Sequence, residues 1–252
     1  MPLPIDTNEK LQQIATGFGL AEGPAYSRRG YLLFTDIRNA RIHKWEKGQL
    51  SVFRENSNRA NGLTFDHQGR LLVAEGGGRV TRTEKNGSIT VLAETSLQGP
   101  NDIVYAIDGS IYFTDLPKGR VYQITRQGQV RVVAETAGPN GLALSPNQQQ
   151  LYVADYKVGG VKIHAIEPDG SLRPGKEFAR LTVDGLKTDE AGNVWMASVD
   201  GIEVYTVHGE PLGKIPTPER PTNCGFSGGT LYITTPGSVY QIQTKVFGTR
   251  TF

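Results

Sequence analysis

NDIVYAIDGSIYFTD, residues 101–115, reads as two short strands around a turn: NDIVYA (101–106) and SIYFTD (110–115) flank Asp108-Gly109. An Asp-Gly pair between apolar runs is a hairpin signal. Two more strands follow, RVYQIT (120–125) and QVRVVA (129–134), joined at Gln127-Gly128. The unit is therefore four strands, here called A to D. Alternation along strand A sets Ile103 and Tyr105 on one face, with Asp102 and Val104 on the other.

The unit recurs. Strand B appears as YLLFTD (31–36), RLLVAE (70–75), SIYFTD (110–115), QLYVAD (150–155), NVWMAS (193–198) and TLYITT (230–235). The starts are 39, 40, 40, 43 and 37 residues apart. Seven to ten residues before each stands a strand A opening: EGPAYS, NGLTFD, NDIVYA, NGLALS, DGLKTD and NCGFSG. A period near 40 with four short strands per repeat predicts an all-β, six-bladed β-propeller. It is expected to be one domain over residues 1–252. Blade six lacks a fourth strand after SVYQIQTK (238–245), because the tail 246–252 is too short for one. LQQIATG (11–17) has no blade of its own, so it is expected to pair as the outer strand of blade six and close the ring.

Composition narrows the partners. The net charge of +2, with both signs interspersed, gives no electrostatic footprint for nucleic acid or an anionic membrane. One cysteine, Cys224, cannot form an internal disulfide. The N-terminus lacks the basic start and apolar run of a secretory signal, and no stretch approaches the roughly 20 apolar residues of a membrane span. The expectation is a cytoplasmic monomer or weak oligomer.

In a propeller, strand A lines the central channel, and equivalent positions of every blade face one axis. The first residues of the six openings are Glu22, Asn61, Asn101, Asn140, Asp184 and Asn223. Crowding Glu22 and Asp184 into a narrow channel is costly unless a cation compensates. Carboxylates with amide oxygens, and no Cys or His, suit a hard divalent ion: calcium first, with magnesium or manganese as alternatives, and the sequence does not distinguish these from zinc. Asn-Gly and Asp-Gly also favour turns, yet Glu22-Gly23-Pro24 is a poor turn of that kind. Strand B returns to the same face, so Asp36, Glu75, Asp115, Asp155, Ser198 and Thr235 are expected to form a second ring. His43, His67, His164 and His208 fall on strands or turns away from the ring, and no Ser–His–Asp arrangement can be assembled.

The stretches AEGPAY, NGLTFD-x-x-GRLL-x-AE, GPNDIVYAIDGSIYFTD, NGLALSPN-x-x-x-LYVAD and DGLKTDEAGNVW closely resemble the gluconolactonase and senescence-marker-protein (regucalcin) family. The resemblance runs from about residue 15 to 240. It implies one catalytic divalent metal in the channel and hydrolysis of a sugar lactone or related cyclic ester. Glu22, Asn140 and Asp184 match the family's metal ligands, and Asn101 matches an Asn that ligates or contacts substrate beside the metal. Asp184 also matches the proposed general base. The family often has an Arg where this chain has Gly99, which points to a less polar lactone.

On that reading the metal polarises the lactone carbonyl, Asp184 activates water, and Asn101 assists. Asn61, Asn223, Asp115 and Asp36 are assigned to substrate. Two other readings stay open: a phosphotriester or phosphofluoridate hydrolase on the same metal, and a non-enzymatic binding module with a structural calcium.

Overall fold

A computed structural model gives the structure of the protein over residues 2–6 and 8–249. Met1, Thr7 and residues 250–252, which the expected domain and its tail include, lie outside the described residues. Among the described residues, 24 strands form six four-stranded antiparallel sheets, with no helix. There is thus no helix long and apolar enough to cross a membrane.

Each sheet is one blade in chain order. Blade three is Pro100–Tyr105, Ile111–Asp115, Arg120–Ile124 and Val130–Glu135. The innermost strands neighbour one another around a ring, and Ala21–Ser27 of blade one touches both Ala60–Phe65 of blade two and Asn223–Ser227 of blade six. Blade six is completed from the other end of the chain. Gln12–Thr16 pairs antiparallel with Ser238–Gln243, as the sequence predicts, aligning Gln12 with Gln241 and Thr16 with Ser238. That pairing closes the ring and covers the edge that Ser238–Gln243 would otherwise expose.

The apolar core is divided among the seams. Six clusters of buried residues are found among the described residues, each between two neighbouring blades. Strand Leu71–Glu75 shows how one sequence serves two seams. Leu71 and Val73 pack toward blade one, while Leu72 and Ala74 pack toward blade three. Successive side chains of a strand point to opposite faces, and both faces of a blade are covered, so the strand reads as an unbroken apolar run. Trp195, Tyr112, Tyr152 and Phe34 are fully buried in these seams. Each such side chain contributes roughly 1.5–3 kcal/mol relative to exposure.

Candidate functional site in the channel

The innermost strands are not regular where they reach the axis. Pairing register breaks between Glu22 and Ala25, Ala60 and Leu63, Pro100 and Ile103, and Pro139 and Leu142. A bulge at the same place in four blades bends the strand and re-aims its side chains. In blade five, Asp184-Gly185 precedes the strand Leu186–Thr188 altogether.

The bulges allow neighbouring backbones to touch. A Cβ at Gly62 would stand 2.6 Å from the Asn101 carbonyl oxygen, and one at Gly141 would stand 2.3 Å from that of Asp184. Glycine is required there because the next blade's main chain occupies the space. Threonines of strand B clip the same region: Thr35 Oγ1 donates to the Asn61 carbonyl at 3.0 Å, and Thr114 Oγ1 donates to that of Asn140 at 2.7 Å.

Blade three departs from this pattern, with Asp102 where blades one, two, four and five have Gly23, Gly62, Gly141 and Gly185. The extra residue of the bulge breaks the simple alternation, and Asp102 turns into the channel, 3% exposed. Asn223 Nδ2 donates to both Asp102 oxygens, at 3.1 and 3.2 Å, and to Glu22 Oε2 at 2.9 Å. Asn223 Oδ1 accepts from the Cys224 amide at 2.9 Å and from Lys187 Nζ at 3.4 Å. Glu22 Oε2 also accepts from the Gly23 amide at 2.6 Å.

Three carboxyl groups therefore share the channel, and all are harder to ionise than usual. Burial raises Glu22 well above the ordinary carboxylate range, and Asp184 and Asp102 raise it further. Burial also raises Asp102, against the pull of Lys187 and the Asn223 amide. Asp184 is pushed up to about 7, first by burial and then by Asp102, with Arg220 and the Asn140 amide opposing. Negative charge is concentrated where water is scarce.

Two amide oxygens, Asn61 Oδ1 and Asn140 Oδ1, are buried here without a hydrogen-bond partner. Leaving a buried acceptor unpaired costs about 1–3 kcal/mol, so each calls for an occupant. Carboxylate and amide oxygens without imidazole or thiolate form a donor set for a hard cation. No group of three or more His, Cys, Asp and Glu able to hold a metal occurs among the described residues, so amide oxygens must complete any such site.

The structure brings Glu22, Asn140, Asp184 and Asn223 together as the repeat predicts. Asn61 and Asn101 stand in the same ring and are partly exposed. The strand B acids are placed otherwise. Asp36 and Asp115 are buried, and their oxygens are taken by rim loops. Asp36 accepts from the Gly19 and Leu20 amides at 3.1 and 3.2 Å and from Asn39 Nδ2 at 2.7 Å. Asp115 accepts from the Gln98 and Gly99 amides at 2.8 and 3.1 Å. Both acids thus anchor the loop that leads into their blade.

Sequence reasoning missed three charged residues: Asp102, Lys187 and Arg220. Arg220 lies over the Tyr156 ring, 5.1 Å from its centroid, and its Nε and Nη2 are buried without a partner. The signal for Asp102 was present as the one charged residue at a position otherwise glycine or cysteine. At Gly99, a Cβ would meet Pro117 Cγ at 2.8 Å, so Pro117 fills the space a side chain would need.

Comparison with known proteins is consistent along nearly the whole chain. The sequence model described as SMP-30/Gluconolactonase/LRE-like region matches residues 20–237. A gluconolactonase of Zymomonas mobilis is 28% identical, covering 97% of this chain and 84% of that protein. The pentonolactonase XacC of Haloferax volcanii is 26% identical, over 89% of this chain and 84% of its own. The solved structure of a gluconolactonase from Xanthomonas campestris superposes with a TM-score of 0.89 at 28% identity, over 96% and 91% of the two chains.

Proposed function

The chain belongs to the SMP-30/gluconolactonase/LRE-like family, and from that premise we propose that it is a lactone hydrolase working with one divalent cation in its channel. The observation that carries the cation is the pair of buried, unpartnered oxygens, Asn61 Oδ1 and Asn140 Oδ1, beside three carboxyl groups that burial makes hard to ionise, with repulsion by neighbouring acids adding to it for Glu22 and Asp184. A hard cation relieves both costs at once. The gluconolactonase and pentonolactonase relatives support a sugar lactone or related cyclic ester as substrate.

Glu22, Asn140 and Asp184 are assigned to holding the ion, with calcium the first choice. When bound, the cation supplies Lewis-acid polarisation of the ester carbonyl. Asp184 is assigned to take the proton of the attacking water, the role its match to the family motif gives it. Asn101 and Asn61, at the partly exposed edge of the ring, orient the carbonyl or the water. Asn223 fixes the Glu22 carboxylate through its 2.9 Å hydrogen bond.

The test is acid release from glucono-1,5-lactone by chelator-treated protein while calcium, magnesium, manganese and zinc are added back. Restoration in the wild type and not in Glu22→Gln supports the reading. Ion binding with no hydrolysis of sugar or aliphatic lactones removes the lactonase claim and directs attention to phosphoryl substrates. No ion binding removes the cation.

A further inference from the structure

Lys187 is the one charged residue that lines the lower channel, among the described residues. The same cavity is lined by Leu63, Phe65, Ile103 and Phe226 and by the polar Thr64, Gln148 and Thr188. It lies three residues beyond Asp184 along the same inner segment, on the side of the ring away from the rim loops. Its Nζ has two bonding partners, the Leu186 carbonyl at 3.0 Å and Asn223 Oδ1 at 3.4 Å. Neither is charged. A partly buried ammonium whose hydrogen-bond partners are neutral is favoured by a countercharge near it. The acid that senses it is Asp102, linked to it through the Asn223 side chain. Arg220 approaches the ring beside Tyr156, and the carboxyl it influences is Asp184. The two cations thus act on different acids.

We propose that Lys187 is a charge-setting residue of the ring: from the side away from the rim loops it offsets Asp102 and so fixes how strongly the site discriminates between cations of different charge. The inference rests on the cation reading above. It assigns Lys187 no contact with substrate. Coulomb work scales with the charge of the bound ion. Removing one positive charge therefore tightens trivalent binding more than divalent binding, by half as much again in free energy. Asp102 has the opposite effect, and loss of both charges cancels.

The experiment is calorimetric titration of chelator-treated protein with Ca2+ and with Tb3+, a trivalent ion of similar size. Lys187→Met is expected to tighten Ca2+ binding about tenfold and Tb3+ binding about thirtyfold, which raises the Tb3+/Ca2+ ratio about threefold. Asp102→Asn should weaken both ions, and the Asp102→Asn/Lys187→Met double variant should return close to wild type. Lys187→Arg keeps the charge and should keep the wild-type ratio. Lys187→Gln repeats the test if the methionine variant folds poorly. An unchanged ratio in both neutral variants, or a double variant as tight as Lys187→Met, overturns the proposal while leaving the cation reading intact. A wild type that binds neither ion overturns both.

Discussion

The Asn223 side-chain amide donates to Glu22 Oε2 at 2.9 Å across 201 residues of sequence. The bond spans the seam where blade six meets blade one, so a residue of the candidate ion site is positioned by closure of the ring. Removing residues 1–16 deletes the strand that completes blade six without touching any ring residue. The shortened protein should melt at least roughly 10 °C lower and bind Ca2+ more weakly, read by calorimetry. Unchanged affinity in a folded truncation would separate the site from closure.

Glu22→Gln should have opposite effects with and without metal. It removes a charge that burial, Asp184 and Asp102 all oppose. Chelated protein should therefore become more resistant to urea, while Ca2+ affinity falls on the order of 100-fold. A variant destabilised under both conditions would show that Glu22 is held chiefly by its hydrogen bonds from Gly23 and Asn223.

The pH dependence of chelated protein follows from Asp184. Its carboxyl rises from an ordinary 3.8 to about 7 on folding, so the folded state holds this proton more tightly than the unfolded chain. The contribution is fully present below about pH 4 and is lost as pH rises to about 7. Glu22 and Asp102 shift in the same direction. Chelated protein should melt roughly 5 °C lower at pH 8 than at pH 5.5, and Ca2+ should reduce or reverse that order. A melting point that climbs with pH without metal would contradict it.

Gly141→Ala tests the backbone contact between blades four and five. The added methyl would stand 2.3 Å from the Asp184 carbonyl oxygen, which also accepts from the Gly141 amide at 2.9 Å. Overpacking of this kind costs about 1–3 kcal/mol. Because the displaced residue is Asp184, Ca2+ affinity should fall together with the urea midpoint.

Asp115→Asn distinguishes an anchor from a substrate contact. The carboxylate bonds to the Gln98 and Gly99 amides should weaken, at a cost of about 1–3 kcal/mol. Ca2+ affinity and the KM for a lactone should change by less than about threefold. A selective rise in KM would return Asp115 to the substrate.

The repeat made the fold legible because six copies of one strand pattern leave a propeller as the economical solution, and a missing last strand calls for LQQIATG. It also located Glu22, Asn140, Asp184 and Asn223, since equivalent positions share one axis. Asp102 was hidden because alternation assumes an unbroken strand, and the bulge after Pro100 shifts the phase by one residue. For Asp36 and Asp115, sequence gives the face of a strand end and not the loop amides that donate to their oxygens. The loops that claim their oxygens are set by tertiary packing. Nothing in the repeat singles out Lys187, because it stands outside the first position of its strand A opening.

Blade six borrows its outer strand from the start of the chain, and this has a consequence for the order in which the protein is made. At about 5–20 residues per second, Asn223 leaves the ribosome roughly 10–40 s after Glu22. Until then the first blade has no partner on one side, and the carboxylate of Glu22 has only the Gly23 amide as a donor and lacks that of Asn223. A nascent chain of five blades carries most of the ring's oxygens but not their arrangement. The Glu22–Asn223 bond therefore forms only once blade six has been made, and a chain of five blades is marked by an open seam.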